Sequence, residues 1–503
     1  MRILGLSSMF HDAAATVIED GEILFAGHSE RYSKEKNDPF LNHEMITQAL
    51  SYGKPDLIVL HEKSWAKRLR NLFAGNWDAV KEKDQEWWIE QFFPELAGIP
   101  IESYWHHETH AASGVLTSGY DDAAVMVIDA IGEFNTATIW HWKNGELNKK
   151  HSVNFPNSLG LFYSAVTAHC GLKPMEDEYI LMGMAAYGDP AKATRIKDHF
   201  DSELFTYEFP YMNKRKALSM RVNCQRGLPA GFEDYDHFDM AMAAQMVAEE
   251  RVYCYAAYAR ELTGSKNLVY MGGVALNCVA NGNLFDLYKD IHIMPNPGDA
   301  GSSLGGAALA YYNRTGNLVN WTGAYLGNNI EGAYPVKKAL DSLHKGEIFG
   351  IANGRAEFGP RALGNRSLMA DPRGDLIKDR MNEIKKRQKF RPFAPVIMEE
   401  HVHDYFDMPA KCLSPYMQFT AVCKKPKEFP AIIHHDGTSR VQTVNAEQNP
   451  GLYNLLSAFY KRTGCPMLVN TSLNIKGQPI VNDEKDAADF TKYYGVVVHT
   501  RDD

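Results

Sequence analysis

The sequence of 503 residues predicts an α/β protein whose N-terminal part contains the same structural unit twice. In the first copy, a buried strand at residues 3–6 is followed by a polar loop, a second strand and a tight Asp20-Gly21 turn. In the second copy, the apolar run at residues 123–128 leads into a loop that begins at Asp129, then another strand and an Asn-Gly turn. Two copies of one unit predict a duplicated domain.

Repeated units of this kind, each followed by mixed helices and strands, begin the two lobes of actin-like ATPases. Two unrelated hairpins would give the same local pattern, because hairpins are common. Between residues 315 and 334 the sequence becomes rich in Gly, Asn and Tyr, which is typical of a domain boundary. We therefore expect two domains, residues 1–330 and residues 331–503.

The composition is that of an ordinary globular protein, with 45% hydrophobic residues and a net charge of −9. The acidic balance argues against wholesale binding to nucleic acid. Seven dispersed cysteines without a C-x-x-C pair predict reduced thiols. The N-terminus has no apolar signal segment, and no apolar run is long enough to span a membrane. We expect a soluble, cytoplasmic protein with no membrane contact.

Two histidines and two aspartates predict a metal site. His106 and His110 are four residues apart, so on a helix their rings lie on one face. Asp129 ends a buried strand, and Asp299 lies in a later glycine loop. A hydrogen-bonded surface pair of histidines would also explain the spacing, and the zinc-protease motif H-E-x-x-H is absent because Glu108 stands in H-E-x-H. We interpret the two histidines and two aspartates as a mixed nitrogen/oxygen metal site.

Two glycine clusters predict a phosphate-binding surface. Gly272 and Gly273 follow an apolar strand, where glycine lets backbone amides approach a ligand, and Asn277 follows as a hydrogen-bonding side chain for ribose or phosphate. Gly298 and Gly301 flank the last of the four metal candidates, before a helix whose N-terminal amides favour anions. A tight turn explains each cluster singly. Together they predict a nucleotide phosphate held by amides and metal.

The C-terminal part carries basic motifs. Arg361, Arg391 and Arg440 each lie beside glycine, proline or a strand edge rather than in a mixed-charge helix. Guanidinium forks match phosphate and carboxylate oxygens, so we interpret these arginines as inward-facing anion ligands rather than solubilising charge. Lys385 lies in a basic run, for which a solvated face is the alternative. The basic stretch between Lys214 and Arg226 has the same two interpretations, a solvated face or contact with an anionic acceptor.

Taken in order along nearly the whole chain, these motifs resemble those of the O-carbamoyltransferase family of antibiotic and nodulation-factor biosynthesis. The quoted segments are His11-Asp12, H-H-x-x-H-A from His106, G-G-V-A-L-N from Gly272, G-D-x-G from Gly298, G-P-R-A-L-G-N-R-S from Gly359, R-P-F-A-P from Arg391 and N-T-S-L-N from Asn470. The resemblance implies a duplicated actin-like (ASKHA) N-terminal domain, similar to that of tRNA threonylcarbamoyl-transfer enzymes. It also implies a C-terminal α/β domain similar to the carbamoyl-adenylate-forming (YrdC-like) domain of that pathway.

The resemblance further implies an ATP-dependent O-carbamoyltransferase. Carbamoyl phosphate and ATP would give carbamoyl-adenylate in the C-terminal domain, and the N-terminal domain would transfer the carbamoyl group to an acceptor hydroxyl. In this family His11 would be the general base on that hydroxyl, with Asp12 orienting the acceptor. The metal would be iron, as in characterised relatives, with zinc, manganese and magnesium as alternatives.

Residue by residue, the resemblance implies three sets of ligands. The metal ligands would be His106, His110, Asp129 and Asp299. The nucleotide ligands of the N-terminal domain would be Gly272, Gly273 and Asn277. Carbamoyl phosphate and ATP would bind Lys385, Arg391, Arg440 and Asn470, with Arg361 close by.

The expected acceptor is a small molecule with a hydroxyl group, and a homodimer is one expected assembly. Two alternatives stay open. The basic stretch between Lys214 and Arg226 motivates carbamoylation of a nucleic-acid component, such as a tRNA adenosine or a hydroxymethylated base. A non-catalytic actin-like nucleotide sensor is the other alternative, but a sensor would need neither His11 nor the C-terminal arginines. Ile180 and Leu473 stand where relatives usually carry Lys and Phe, which leaves the acceptor rather than the carbamoyl chemistry unidentified.

Overall fold

The structure is a computed structural model that describes residues 1–204, 224, 227–374, 376–389, 391–409 and 412–502. Apart from Cys224, the basic stretch between Lys214 and Arg226 lies outside the described residues, so its contact with an anionic acceptor stays a prediction. The chain divides into two compact units. Unit 1 comprises Met1–Glu22 and Ala49–Asn320, and unit 2 comprises Ile23–Gln48 and Trp321–Asp503.

The strands alternate with helices in both units. They are β1 (Arg2–Ser7), β2 (Ala14–Glu19), β3 (Glu22–His28), β4 (Leu57–Leu60), β5 (Ile101–Ser103), β6 (Asp122–Ile128), β7 (Asn135–Lys143), β8 (Glu146–Asn154), β9 (Asn267–Met271), β10 (Asp290–His292), β11 (Tyr325–Ile330), β12 (Phe349–Ala352), β13 (Gly354–Glu357), β14 (Arg366–Ala370), β15 (Ala394–Met398), β16 (Phe406–Asp407), β17 (Phe419–Cys423), β18 (Thr438–Val444), β19 (Met467–Ser472) and β20 (Val498–His499).

The α-helices vary from single turns to one long helix in unit 1. They are α1 (Glu30–Ser33), α2 (His43–Ser51), α3 (Ser64–Phe73), α4 (Trp77–Lys81), α5 (Gln85–Phe92), α6 (His106–Ser118), α7 (Leu159–His169), α8 (Glu178–Met184), α9 (Pro190–Glu203), α10 (His237–Thr263), α11 (Cys278–Asn281), α12 (Gly301–Thr315), α13 (Val336–His344), α14 (Ile377–Lys385), α15 (Val402–Tyr405), α16 (Pro450–Thr463) and α17 (Glu484–Tyr494).

Two sheets of unit 1 repeat one strand arrangement. In the first, β2, β1, β4 and β5 are neighbours in that order, with β2 antiparallel to β1 and with β4 and β5 parallel to it. In the second, β7, β6, β9 and β10 follow the same order and directions, and β8 extends the sheet beyond β7. The α/β class and the duplicated N-terminal unit are therefore confirmed.

The turns that indicated the repeat have the backbone geometry that their sequences favour. Asp20 and Gly21 have φ values of 49° and 91°, and Asn144 and Gly145 have φ values of 53° and 77°. Two consecutive positive φ angles define a type I′ turn, which Asp-Gly and Asn-Gly pairs adopt with little strain. Local turn chemistry thus accounts for this part of both copies.

The strands that lead to the candidate site are apolar on both faces. All four residues of β4 are buried, and β6 buries every residue after Asp122. Continuous apolar runs of this kind are typical of parallel strands that are covered on both sides. The residues that follow β1, β4, β6 and β9 therefore lie at the carboxyl ends of parallel strands, where α/β folds commonly build their sites.

Helix α12 packs closely against α6 and β1 because glycine lies at the points of contact. A Cβ atom on Gly305 would lie 1.9 Å from the carbonyl oxygen of Thr109 in α6. A Cβ atom on Gly5 in β1 would lie 2.0 Å from the carbonyl oxygen of Ser303 in α12. Neither distance leaves room for a side chain. This packing brings the loop before α12 to the start of α6.

A mixed sheet forms the centre of unit 2, with the strand order β16-β17-β18-β15-β19-β14-β12-β20. Strand β15 is parallel to β18 and antiparallel to β19. Asn470 of β19 pairs with Ala394 of β15, and continuing the β15–β18 register by two residues puts Arg440 beside the same alanine. Arg440 and Asn470 therefore lie in one row across three strands, on one face of the sheet.

Two sequence expectations about the whole chain can be compared with the structure. None of the seven cysteines, all of which are among the described residues, forms a disulfide bond. Within the described ranges, no helix is both long and apolar enough to cross a membrane.

Candidate metal centre and active site

The four predicted metal ligands meet at one point in unit 1. His106 and His110 project from the start of α6, Asp129 follows β6, and Asp299 lies in the loop before α12. Their ligating atoms all lie within 4.8 Å of one another, and all four side chains are buried. His106 Nε2 lies 3.1 Å from both His110 Nε2 and Asp129 Oδ2, and 3.4 Å from Asp299 Oδ1. The structure therefore brings together all four residues that the sequence indicated.

This set of donors fits a divalent metal ion. The Nε2 atoms of His106 and His110 face each other, so at most one of them can carry a hydrogen there. Asp299 Oδ2 is buried and has no hydrogen-bond partner among the described residues. Neighbouring ligands around an ion at ~2.1 Å lie about 3–3.4 Å apart. The contacts of the two histidine nitrogens with each other and with the carboxylates range from 3.1 to 3.7 Å. Two imidazoles and two carboxylates suit iron, zinc or manganese better than magnesium, which prefers oxygen alone.

Burial and opposite charge compete in this cluster. Burial by itself would lower the pKa of His106, but the carboxylates of Asp299 and Asp129 outweigh burial and raise that pKa well above its ordinary value. Burial would raise the pKa of Asp299, yet His106 and His11 hold it well below its ordinary range. The carboxylate of Asp299 is therefore ionised, as a metal ligand must be.

His107 lies between the two histidine ligands in sequence but turns to a different neighbour. Its Nδ1 lies 3.0 Å from Thr138 Oγ1 in β7. Burial, reinforced by the charge of His106, lowers the pKa of His107 well below its ordinary value. His107 is thus a buried neutral imidazole outside the four-residue group.

His11 and Asp12 lie beside the four-residue group. His11 Nε2 is 3.8 Å from Asp299 Oδ2, and His11 Nδ1 is 3.0 Å from Asp12 Oδ2. Burial would lower the pKa of His11, but the carboxylates of Asp299 and Asp12 outweigh burial and raise it to about 10. Because Asp299 is the main source of this rise, a cation that neutralises Asp299 returns His11 towards its ordinary pKa.

The glycines that were predicted to bind nucleotide have identifiable structural contacts. Gly272 has a φ of 91°, and a Cβ atom there would lie 2.2 Å from a backbone oxygen of β6. The N–H of Gly273 donates to Asp129 Oδ1 at 3.0 Å and so fixes that carboxylate. The N–H of Gly301 donates to the carbonyl oxygen of Gly298 at 3.0 Å. Nucleotide binding by these glycines stays a prediction.

Asn277, the remaining predicted nucleotide ligand, uses its side chain inside unit 1. Its Oδ1 accepts from the N–H of Ala280 and from Gln245 Nε2, both at 3.1 Å. Its Nδ2 donates to Gln245 Oε1 at 2.9 Å. The side chain therefore caps α11 and joins it to α10, and contact with a nucleotide stays a prediction.

Sequence analysis missed an acidic residue that supports the helix carrying His106 and His110. Glu133 is 3% exposed, and its Oε1 accepts hydrogen bonds from the backbone N–H groups of His106 at 3.0 Å and Lys63 at 2.8 Å. The first N–H groups of a helix lack partners within the helix, so this carboxylate satisfies one of them at the first residue of α6. Glu133 thereby fixes the helix end that carries the first histidine ligand.

Sequence analysis also missed His61 and Glu62, which follow β4. The His61 ring lies edge-to-face with the His106 ring at 5.5 Å, and His61, Glu62 and His106 form a second group able to hold a metal ion. Burial, opposed by the charge of Glu62, lowers the pKa of His61 to about 4, so the imidazole is neutral. Their signal in the sequence is a polar pair directly after a buried strand, the same position that Asp129 occupies after β6.

In unit 2, Lys385 lies in a buried polar contact. The side chain is 4% exposed, and its Nζ donates to the carbonyl oxygen and Oγ of Ser472 and to Oδ1 of Asn474. These three acceptors match the three hydrogens of an ammonium group. Burial lowers the pKa of Lys385 well below its ordinary value, and the charges of Arg387 and Arg391 lower it further. Arg391 is therefore close enough for its charge to lower the pKa of Lys385.

The other predicted ligands of unit 2 lie on or beside the central sheet. Asn470 is 1% exposed, and its Nδ2 donates to the carbonyl oxygen of Ala362 at 3.0 Å and to Gln442 Oε1 at 2.6 Å. Arg440 shares the row with Asn470, and its buried Nε has no hydrogen-bond partner in the part of the chain that the structure describes. Arg361 is partly buried in the loop before β14. Binding of carbamoyl phosphate and ATP by these residues stays a prediction.

Comparison with known proteins identifies the class to which this fold and site belong. Residues 2–309 match the family model described as carbamoyltransferase N-terminus, and residues 340–499 match the model described as carbamoyltransferase C-terminus. The chain belongs to the carbamoyltransferase family and is a transferase enzyme.

Individual relatives support the same family over most of the chain. Protein sll1178 of Synechocystis sp. is 33% identical over 96% of this chain and 93% of its own length. The nodulation protein NolNO of Sinorhizobium fredii is 32% identical over 96% of this chain and 76% of its own length. The 3'-hydroxymethylcephem-O-carbamoyltransferase of Amycolatopsis lactamdurans is 28% identical over 97% of this chain and 95% of its own length. The predicted family is confirmed.

Proposed function

We propose that this enzyme is an ATP-dependent O-carbamoyltransferase that forms carbamoyl-adenylate and transfers its carbamoyl group to a hydroxyl of a small molecule. In the complete reaction, carbamoyl phosphate, ATP, water and the acceptor hydroxyl give a carbamate ester, AMP, pyrophosphate and phosphate. The observation that carries this proposal is the buried group of His106, His110, Asp129 and Asp299 beside His11 in a member of the carbamoyltransferase family. The relative named as an O-carbamoyltransferase supports a hydroxyl acceptor.

In the transfer step His11 acts as the general base. When a cation neutralises Asp299, the carboxylate that raises the pKa of His11 most, the imidazole is neutral. Its Nδ1 then donates to Asp12, and Nε2 has a lone pair to accept the proton of the acceptor hydroxyl. The acceptor oxygen then bonds to the carbamoyl carbon, and the bond from that carbon to the AMP oxygen breaks. Sequence analysis gave Asp12 the task of orienting the acceptor. The contact of 3.0 Å between Asp12 Oδ2 and His11 Nδ1 supports a different task for Asp12, which is to orient the imidazole of His11.

The four-residue group binds a divalent ion next to this base. When bound, such an ion acts as a Lewis acid that offsets negative charge on the phosphate and the carbonyl oxygen. Glu133 contributes by fixing the first residue of α6, and the N–H of Gly273 contributes by fixing Asp129. The ligands are thus held in position by hydrogen bonds that do not involve the ion.

In unit 2, Arg391 and Arg440 bind the phosphate groups of carbamoyl phosphate and ATP. Guanidinium groups stay charged and offer several N–H donors, which suits oxyanions. The buried Lys385 lies near these arginines and offers N–H donors, and Ser472 and Asn474 hold its Nζ in place. This clustering of basic groups in a family of carbamoyltransferases supports formation of the adenylate in unit 2.

The test omits the acceptor. The full chain, supplied with ferrous iron and magnesium, is mixed with ATP and carbamoyl phosphate, and pyrophosphate is measured over a single turnover. The expected result is pyrophosphate release that requires carbamoyl phosphate and that continues without any hydroxyl acceptor. Mixtures that lack carbamoyl phosphate are the control. No release from the metal-loaded enzyme would rule out the adenylate mechanism.

A further inference from the structure

Helix α3 turns its large apolar side chains outward. Four of them occupy positions i, i+4, i+7 and i+8 and therefore lie on one face of the helix, namely Trp65, Leu69, Leu72 and Phe73. They are 60%, 38%, 41% and 77% exposed, whereas Ala66 is fully buried. A surface helix normally directs its apolar face towards the core. These four exposed residues form the α3 stripe, which has the opposite orientation.

Polar contacts on the other side of α3 account for this orientation. Lys67 Nζ donates to Glu62 Oε1 at 2.7 Å and to the carbonyl oxygen of Met9 at 3.4 Å. Arg70 donates to the carbonyl oxygen of Gly132. Met9 and Gly132 belong to the loops that follow β1 and β6. Because these basic residues hold α3 against two loops, the apolar residues are left on the outer face.

Trp105 extends this apolar surface beyond the helix. It is 40% exposed, and its ring lies 5.8 Å from that of Trp65. With about 150–250 Å² for each aromatic side chain, Trp105 and the α3 stripe together expose roughly 500 Å². A standard protein–protein interface buries about 800 Å² on each partner, of which roughly 56–65% is apolar. The exposed apolar area therefore equals that of one side of such an interface.

The charges beside the α3 stripe favour a protein partner over an anionic lipid surface. Arg68, the third basic residue of α3, pairs with Asp84 at 3.0 Å, so all three basic residues of the helix have partners within the chain. A helix that lies on a membrane gains affinity from Lys and Arg side chains that reach the lipid phosphates. The net charge of −9 also opposes contact with an anionic membrane.

A second copy of this chain matches the α3 stripe in size and polarity. In a two-fold dimer the same patch of both subunits meets itself, so one apolar stripe covers the other and no unpaired charge of α3 is buried. The i, i+4, i+7, i+8 spacing is that by which two helices pack side by side. Tryptophan and phenylalanine are enriched in the cores of protein interfaces.

We propose that the α3 stripe and Trp105 bind the same surface of a second copy of this chain and so form a two-fold homodimer. Sequence analysis gave a homodimer as one expected assembly but no surface for it. The inference concerns assembly and does not depend on the proposed function. It assigns a partner to the side of α3 that faces away from the two loops.

The test measures the mass of the full-length protein in solution by sedimentation-velocity ultracentrifugation. Interfaces of standard size have dissociation constants between about 1 µM and 1 pM, so the wild type at ~10 µM should sediment as two chains. Phe73→Asp puts a charge into the apolar contact and should raise the dissociation constant by about 10–100-fold. Tyr493→Asp is the matched control, because Tyr493 is also an exposed aromatic residue near the end of a helix, α17 in unit 2. It should leave the dissociation constant unchanged.

Photo-crosslinking locates the interface without a disruptive variant. Benzoylphenylalanine in place of Leu69 should give a covalent dimer on irradiation, and mass spectrometry should find the cross-link in a peptide that contains α3 or Trp105. Benzoylphenylalanine in place of Tyr493 should give no covalent dimer. Flotation with vesicles of phosphatidylcholine and phosphatidylglycerol forms the second arm. The dimer should stay unbound, because its apolar surface is covered.

Each result has a defined meaning. A wild type that sediments as a single chain at ~10 µM would overturn the inference without any variant. A dimer that yields no cross-link from position 69, or whose dissociation constant is the same in folded Phe73→Asp, would have its interface elsewhere and would also overturn it. If Phe73→Asp does not fold, the cross-link decides. A single chain that floats with the vesicles would assign the α3 stripe to a lipid surface instead of a second copy.

Discussion

The direction in which each imidazole faces decides what it can do. His106 and His110 turn their Nε2 atoms to each other and to two buried carboxylates, which is the arrangement of ligands. His107 turns to Thr138 and is neutral. His11 approaches the same carboxylate of Asp299 from outside the group. These four histidines therefore face three different environments.

Replacing His11 by Asn should separate the two half-reactions. Asparagine keeps a polar side chain of similar size but cannot take up a proton, so carbamoyl transfer should fall by about 10²–10⁴-fold. Release of pyrophosphate in the absence of acceptor should continue at the wild-type rate, because His11 belongs to unit 1 and the residues proposed to form the adenylate belong to unit 2. Rapid-quench measurement of pyrophosphate and of the carbamate ester checks both. Equal losses in the two steps would contradict the general-base role.

The site also depends on how closely two helices approach. Gly305 of α12 lies against the backbone of α6 at Thr109, directly before the second histidine ligand. A methyl group at this point must push the two helices apart, because the atom that it meets belongs to the backbone and cannot rotate away. The distance between the helices thus controls the distance between Asp299 and the two histidines.

Gly305→Ala should therefore destabilise the protein and weaken metal binding. Overpacking of this kind costs about 1–3 kcal/mol, and thermal unfolding of the full chain should shift to lower temperature. Gly282→Ala is the control, because a Cβ atom there meets no atom within 4 Å and the backbone is already helical, with a φ of −59°. Equal melting temperatures and equal bound metal in the two variants would show that α6 and α12 tolerate a wider spacing.

Features that depend on neighbouring residues could be predicted from the sequence. Contacts between residues that are far apart in the sequence could not. The i, i+4 spacing of His106 and His110 and the buried strand before Asp129 depend only on neighbouring residues. Glu133 binds a residue 27 positions away, and Gln442 binds one 28 positions away, so no periodicity reveals either contact. The assignment of residues 23–48 to unit 2 likewise depends on distant packing.

At the scale of the whole molecule, the proposed chemistry is divided between the two units. The predicted metal ligands and His11 all fall within residues 1–22 and 49–320, whereas the predicted substrate ligands Lys385, Arg391, Arg440 and Asn470 all fall within residues 321–503. The two family models divide the chain in a similar way, with the first ending at residue 309 and the second beginning at residue 340. The first unit would then perform the transfer and the second the activation of the carbamoyl group.

His110→Ala tests this division through the metal. Removing one of the four proposed ligands should lower the amount of bound metal, which elemental analysis of the purified protein measures. Loss of a residue that only supports a ligand reduces activity by about 10- to 100-fold. Loss of His110 itself should reduce carbamoyl transfer by more than that. Pyrophosphate release without acceptor, with magnesium present for ATP, should persist because the residues proposed for that step lie in unit 2.

His107→Gln is the matched control, since His107 is buried on the same helix but contacts Thr138. It should keep both metal and transfer. Metal content that is equal in His110→Ala and in the wild type would remove His110 from the ligand set, and loss of pyrophosphate release would show that activation also needs the metal.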